Sequence, residues 1–190
     1  AGAEGLDVVA QADGGRSAGD CVAEVRRWQA RLSPGAWGEA VGMAADCAYV
    51  QNDRPGLAAL AEGAGEGESW DEANLVFAAT AGHAGDWPAA LHFAERAVGL
   101  GGRERRRDAL LLAAWIQLGR VSELRTFARD PIHDEALRFE AISELWRRGD
   151  TRTATAGLPL VCNGFAEVPF CEGDWRARLK AHPRGVALGD

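Results

Sequence analysis

The stretch GDWPAALHFAERAV, residues 85–98, combines a turn with a helix. After Gly85-Asp86, its alanine and aromatic residues recur three and four positions apart, which predicts an amphipathic helix. Pro88 lies near the expected helix start, where the missing amide costs little. This stretch decides the fold, because copies of it elsewhere in the chain would predict a repeat architecture.

Similar turns recur along the chain, and the intervals between their first residues are 33, 33, 34 and 30. The turns are Gly19-Asp20, Asn52-Asp53, Gly85-Asp86, Gly119-Arg120 and Gly149-Asp150. A second marker opens two helices 33 residues apart and has a diverged third copy; it reads WGEA (37–40), WDEA (70–73) and HDEA (133–136). Two markers with nearly the same period indicate a repeated unit.

Helical periodicity extends over most of the chain from Gly19 onward. The candidate helices are 20–32, 37–51, 55–62, 70–83, 87–99, 104–118, 121–128, 132–148 and 152–161. Ser69 with Glu72 has the form of a capping box, and Asp130 before Pro131 has the form of an N-cap followed by a first-turn proline. Alternating strand-like runs are scarce, so the sequence predicts an all-α fold.

The period and the two helices per unit resemble the tetratricopeptide repeat (TPR) family. The positions that match its second-helix pattern are Gly85, Asp86, Trp87, Ala90, Leu91, Phe93, Ala97 and Val98. The resemblance covers residues 19–161 and implies a right-handed α-solenoid of about four TPR-like helix-turn-helix repeats, with a generic α-solenoid as the alternative. Residues 1–18 form a flexible lead-in under this interpretation, and residues 162–190 form a C-terminal tail.

The resemblance also implies a binding surface, because the first helices of TPR units line a concave groove. The residues expected in that groove are Glu39, Met43, Asp46, Tyr49, Glu72, Val76, His83, Arg106, Leu110, Gln117, Phe139 and Arg147. Their charge changes from mostly acidic to more basic, which suits an extended peptide or a partner helix. The alternative is a solvated face, or one covered by the LDVVA segment at residues 6–10.

Four cysteines allow three disulfide connectivities. Cys21 and Cys47 are equidistant from the Ser33-Pro34-Gly35 turn, so an antiparallel helix pair would place them side by side. Cys162 and Cys171 bracket a short loop, and the favoured pairs are therefore 21–47 and 162–171. Free thiols are the alternative; the spacing does not suit a metal site.

The composition restricts the classes of partner. A formal net charge of −7 and a sequence pI of about 5.2 argue against nonspecific binding to nucleic acid or anionic lipid. No apolar run is long enough to span a bilayer. The chain begins at Ala1, which suits either a mature exported protein or a trimmed one. Disulfides would favour a periplasmic or secreted location, with the cytoplasm as the alternative.

No catalytic, cofactor or metal motif is present, so we expect neither an enzyme nor a bound cofactor. The arginine-rich run at residues 103–107 favours local carboxylate pairing over an anionic partner. We therefore expect a protein-interaction module, such as an adaptor, scaffold or assembly factor, with bacterial envelope assembly or secretion as the suggested setting. The alternatives are an enzyme with an unrecognised site around Glu72, His83 and His133, and a regulatory repeat segment of a larger protein.

Overall fold

The computed structural model describes residues 20–162 of the chain, which form helices joined by short turns. The helices are α1 Asp20–Trp28, α2 Pro34–Val50, α3 Arg54–Ala61, α4 Asp71–His83, α5 Trp87–Arg96, α6 Glu104–Leu118, α7 Val121–Arg129, α8 Glu135–Arg147 and α9 Thr151–Cys162. Short 3₁₀ turns lie at 29–31 and 68–70. The described part contains no strand, which confirms the all-α prediction. None of its helices has the length and apolar character needed to cross a membrane.

Two predicted helix starts are wrong. Ser69 does not cap α4; it lies in the 3₁₀ turn, and Trp70 occupies the cap position without a side-chain hydrogen bond. Asp130 does not open α8 either, because the helix begins after Asp134, whose carboxylate accepts hydrogen bonds from the next helical amides. Both sequences fit a known capping motif, but in both places the helix starts further along the chain than the motif predicts.

Four of the five turns recognised in the sequence share one backbone geometry, and the remaining one, Gly19-Asp20, begins outside the described residues. Asn52, Gly85, Gly119 and Gly149 have positive φ angles of 56°, 78°, 69° and 81°. Each donates its amide to the carbonyl three residues earlier, and the following residue donates to the carbonyl five residues earlier at 2.8–2.9 Å. This is the Schellman arrangement that ends a helix in a left-handed residue. The same local structure therefore recurs at intervals of 33, 34 and 30 residues.

The chain divides into two compact units, with the boundary between Leu111 and Leu112 inside α6. In unit 1 the core is built largely from small side chains of α2 and α4 together with aliphatic residues of α1 and α3. A Cβ placed on Gly42 would lie 3.1 Å from the Cβ of Glu72, and one on Gly38 would lie 2.7 Å from the carbonyl of Ser69. Because these glycines permit such a close approach, α2 and α4 run side by side.

The predicted pairing of Cys21 with Cys47 is confirmed in unit 1. Their sulfur atoms lie at disulfide-bonding distance and their Cα atoms are 6.3 Å apart, which joins α1 to α2. The side-chain amide of Gln51 donates to both sulfurs, at 3.6 and 3.4 Å. The second predicted pair, Cys162 with Cys171, lies outside the residues whose side chains are described.

Unit 2 packs the second half of α6 with α7, α8 and α9. Its core contains Leu112, Leu124, Phe127, Ile142, Leu145 and Leu158. Buried charged groups in this unit have partners. Glu144 forms ion pairs with Arg147 and Arg148, Arg148 also donates to the carbonyl of Ile116 at 2.5 Å, and Arg138 donates to the carbonyl of Ala128 at 3.3 Å.

Candidate functional site

The predicted groove residues of unit 1 fall into surface and core positions. Glu39, Asp46, His83 and Arg106 are exposed, and Met43, Tyr49, Glu72 and Leu110 are half-buried. Val76 has no exposed surface and packs in the core, so it is not accessible to a ligand. The helix register inferred from the sequence placed Val76 on the same face as Glu72 and His83. In the structure the Val76 side chain points toward neighbouring helices.

The residues predicted in unit 2 also differ in accessibility. Gln117 is exposed, whereas Phe139 is only 7% exposed and lies in the core. Arg147 forms an ion pair with Glu144, and both side chains are 10% exposed. Phe139 and Arg147 are therefore parts of the packed interior of unit 2.

Two contacts bring predicted residues together in unit 1. The hydroxyl of Tyr49 lies 3.0 Å from Nδ1 of His83, and the two rings stack with centroids 6.0 Å apart. This pair joins the C-terminal ends of α2 and α4, whereas the glycine contacts at Gly38 and Gly42 lie near the start of α4. Arg106 donates to Glu72 at 2.7 Å. These four polar side chains are therefore paired with one another.

Asp71 has a structural role that the sequence analysis missed. Its carboxylate is fully buried and accepts hydrogen bonds from the amides of Val98 and Gly99, both at 2.7 Å, and of Leu100 at 3.2 Å. Arg103 adds a fourth bond at 3.0 Å. Burial acts to raise the pKa of Asp71, but the hydrogen bonds, led by the one from Gly99, outweigh it and hold the pKa below its ordinary value.

The same contacts account for the arginine-rich run before and within α6. Arg103 donates to Glu72 through Nε at 2.9 Å as well as to Asp71, and Arg106 pairs with Glu72. Carboxylates from the start of α4 thus compensate arginines at the N-terminus of α6, where the helix dipole disfavours positive charge. Pairing with local carboxylates, which the sequence analysis favoured, is present at Arg103 and Arg106.

An open apolar depression lies between α3 and α4, and we call it the α3–α4 groove. It has a volume of about 690 Å³. Helix α3 contributes Arg54, Leu57, Ala58 and Ala61, and helix α4 with its C-cap residue contributes Phe77, Thr80, Ala81 and Ala84. Each set has i, i+3, i+4, i+7 spacing, so one continuous face of each helix borders the groove.

The floor and the rim of the groove differ in accessibility. Leu57 and Phe77 are buried and form the floor. Ala58 and Ala84 are exposed, and Val50 at the rim is 79% exposed. The hydroxyl of Thr80 is already bonded to the carbonyl of Val76 at 2.8 Å and adds little free polarity. The groove is therefore apolar along its length.

Polar groups lie at the edges of the groove. Tyr49 and His83 line it where α2 and α4 end, and the side chains of Arg54 and Asp86 carry opposite charges. Of the predicted binding residues only Tyr49 and His83 line the α3–α4 groove. The sequence shows the spacing of Ala58, Ala61, Ala81 and Ala84, but it does not show which neighbouring element covers those faces.

The described residues hold no group of three or more His, Cys, Asp or Glu side chains that could bind a metal ion. The side chains named for an alternative catalytic site have structural partners: His83 contacts Tyr49, Glu72 contacts Arg103 and Arg106, and His133 stacks on Phe127. Comparison of the chain with protein-family models, with curated proteins and with solved structures finds no significant match.

Proposed function

We propose that this protein is an interaction module that binds an apolar segment of a partner protein in the α3–α4 groove. The observation that carries the proposal is that two largely apolar helix faces border an open depression of about 690 Å³. That volume lies within the range of ~300–1,000 Å³ typical of ligand pockets. An apolar face left open in this way is characteristic of interaction sites.

A short amphipathic helix fits the shape and chemistry of the groove. Small residues on both walls, among them Ala58 and Ala81, allow a third helix backbone to approach closely. A helical segment would insert apolar side chains at i, i+3 or i+4 and i+7 toward the floor at Leu57 and Phe77.

The proposal also includes the repeat architecture of the chain and its cellular compartment. The recurrence of one turn geometry at nearly constant intervals supports a TPR-like α-solenoid, in which adaptor or scaffold functions are common. Small-angle scattering tests this arrangement: a solenoid should have a radius of gyration above the ~16 Å expected for a compact chain of this length. The Cys21–Cys47 pair supports an oxidising compartment, consistent with export and a role in bacterial envelope assembly or secretion.

A displayed library of random helical peptides, selected on the full chain, tests the binding proposal. Selected peptides are then titrated against wild type, Ala58→Glu and Ala81→Glu, with Ala23→Glu as the control because Ala23 is an exposed helical alanine of the same unit. A carboxylate in the groove must be desolvated when the peptide binds, so we expect at least roughly tenfold weaker binding.

The control should bind like wild type. Equal binding by all three variants would place the peptide site outside the groove and would refute the proposal. A library that yields no binder for the wild-type protein would contradict it as well.

A further inference from the structure

Unit 2 contains a second depression, which is lined by aromatic rings. It has a volume of about 280 Å³ and is bordered by Trp115, Ser122, Glu123, Thr126, Phe127 and His133. We call it the aromatic pocket. Trp115 comes from α6, His133 precedes α8, and the remaining residues belong to α7. The site proposed for the α3–α4 groove involves none of these residues, so the two proposals are independent.

The rings of the aromatic pocket are held in a fixed arrangement. The imidazole of His133 lies flat against Phe127, with centroids 4.0 Å apart and planes inclined by 17°. Trp115 meets Phe127 edge to face, with centroids 5.8 Å apart. Phe127 is almost completely buried, whereas Trp115 and His133 keep part of their surface exposed. The partly exposed indole and imidazole rings therefore form the accessible aromatic walls.

One carboxylate completes the lining. Glu123 accepts a hydrogen bond from the Ser122 hydroxyl. This bond, a hydrogen bond from the backbone amide of Glu123 itself and the positive charge of Arg120 hold the pKa of the glutamate below its ordinary value. The guanidinium of Arg120 lies 3.8 Å from the other carboxylate oxygen, and its side chain is 55% exposed. An exposed ion pair of this kind is weak, so another cation can compete for the carboxylate.

We infer that the aromatic pocket binds a small methylated ammonium compound of the choline type. The face of an aromatic ring attracts a cation, and indole does so most strongly. A quaternary ammonium group suits walls that are mostly apolar because it has no N–H to satisfy. Glu123 supplies the opposite charge. The hydroxyls of Ser122 and Thr126 already donate to Glu123 and to the carbonyl of Ser122, so only their oxygen atoms can accept from the hydroxyl of a choline-like ligand. The volume accommodates one small solute.

The test uses the full chain and compares choline with its neutral isostere 3,3-dimethyl-1-butanol. Binding is followed through the indole N–H signal of Trp115, assigned by its loss in Trp115→Phe. Choline should shift this signal in a saturable way, whereas the neutral isostere should not, because it has the shape of choline without its charge. Glycine betaine should bind more weakly than choline, since its own carboxylate is repelled by Glu123.

Two variants locate the site. Glu123→Gln should weaken choline binding by about threefold, the scale of a partly exposed charge pair. Trp115→Leu should weaken it by roughly tenfold through loss of the cation–π contact. Glu140→Gln is the matched control, because it removes one exposed carboxylate elsewhere in unit 2, and it should leave binding unchanged.

Three results would overturn the inference: no shift with choline, equal shifts with choline and its isostere, or equal losses in Glu123→Gln and Glu140→Gln. A peptide containing trimethyl-lysine that binds markedly more tightly than choline would overturn the assignment to a small solute. Because the isostere comparison needs only the wild-type protein, the inference stays testable even if Trp115→Leu fails to fold.

Discussion

Replacement of Asp71 by Asn should destabilise unit 1 substantially, although the two side chains have the same shape. The Oδ1 atom of Asp71 accepts the amides of Val98 and Gly99, and Oδ2 accepts the amide of Leu100 and one N–H of Arg103. In Asn one of these positions becomes an NH₂ group. A donor would then face two donors, and the negative charge that strengthens all four bonds would be lost.

The magnitude follows from the two lost bonds. A hydrogen bond to a charged group contributes about 1.5–3 kcal/mol, and a buried donor left without a partner costs a further ~1–3 kcal/mol. Arg103 is 41% exposed and can regain water, so its share is at the low end. We therefore expect a loss of about 3 kcal/mol in the free energy of unfolding of unit 1, a large fraction of the total for a domain.

The assay is urea unfolding combined with hydrogen exchange of the Gly99 amide. Exchange is needed because two units need not unfold in one transition. The control is Asp86→Asn: this exposed carboxylate caps α5 by accepting the amide of Ala89, and Asn is an equally good N-cap. An Asp71→Asn protein within about 0.5 kcal/mol of wild type, with the Gly99 amide equally protected, would refute the reasoning.

The pH dependence of the free energy of unfolding provides a second test of the Asp71 hydrogen bonds. The pKa of Asp71 in the folded chain lies below the ordinary value of 3.8, so the folded state favours the ionised carboxylate. Its stabilisation is therefore complete well above pH 3.8 and is lost as the pH falls through the folded-state pKa. The stability difference between wild type and Asp71→Asn should be constant near neutrality and should shrink in acid.

Three further predictions concern stability, each measured by urea unfolding against wild type. Reduction of the Cys21–Cys47 disulfide should lower the free energy of unfolding of unit 1 by roughly 3 kcal/mol on the loop-entropy model. A midpoint of urea unfolding that is the same with and without reductant would contradict this prediction. Gly85→Ala should lower the free energy of unfolding by about 1 kcal/mol because φ is +78°, whereas Gly35→Ala inside α2 should raise it by roughly 0.5–1 kcal/mol. Neither new Cβ meets an atom within 4 Å, so steric clashes do not distinguish the two variants. Equal effects of the two substitutions would therefore exclude backbone conformation as the cause. Asp150→Ala should cost about 1–2 kcal/mol by removing both the cap on the Thr153 amide and the ion pair with Arg125, and the loss should diminish in acid because the pKa of Asp150 is lowered.

Much of the candidate site lies where sequence reasoning could not place it. The groove prediction included Tyr49 and His83, and the structure brings these two side chains into contact, because residues at corresponding positions of repeated helices meet when those helices run side by side. The prediction did not distinguish Val76, which is buried, from its neighbours on the surface. An error of one position in the helix register is enough to assign a core residue to the solvent-exposed face. Ala58 and Ala81 were recognisable as small helical residues, but their exposure depends on how α3 and α4 diverge.

The sequence by itself determined most helices and turns of residues 20–162, apart from the starts of α4 and α8, since those features depend on interactions within about five residues. The left-handed turn at Gly85 and its counterparts follow from local chemistry. The Cys21–Cys47 pairing spans 26 residues, and its prediction needed the further assumption that the two helices flanking the turn at Ser33 run antiparallel. Only the tertiary structure decided the partners of Asp71, which lie 27–32 residues away in the chain, and the open face between α3 and α4. Contacts over such distances depend on the packing of whole helices, which local sequence patterns do not encode.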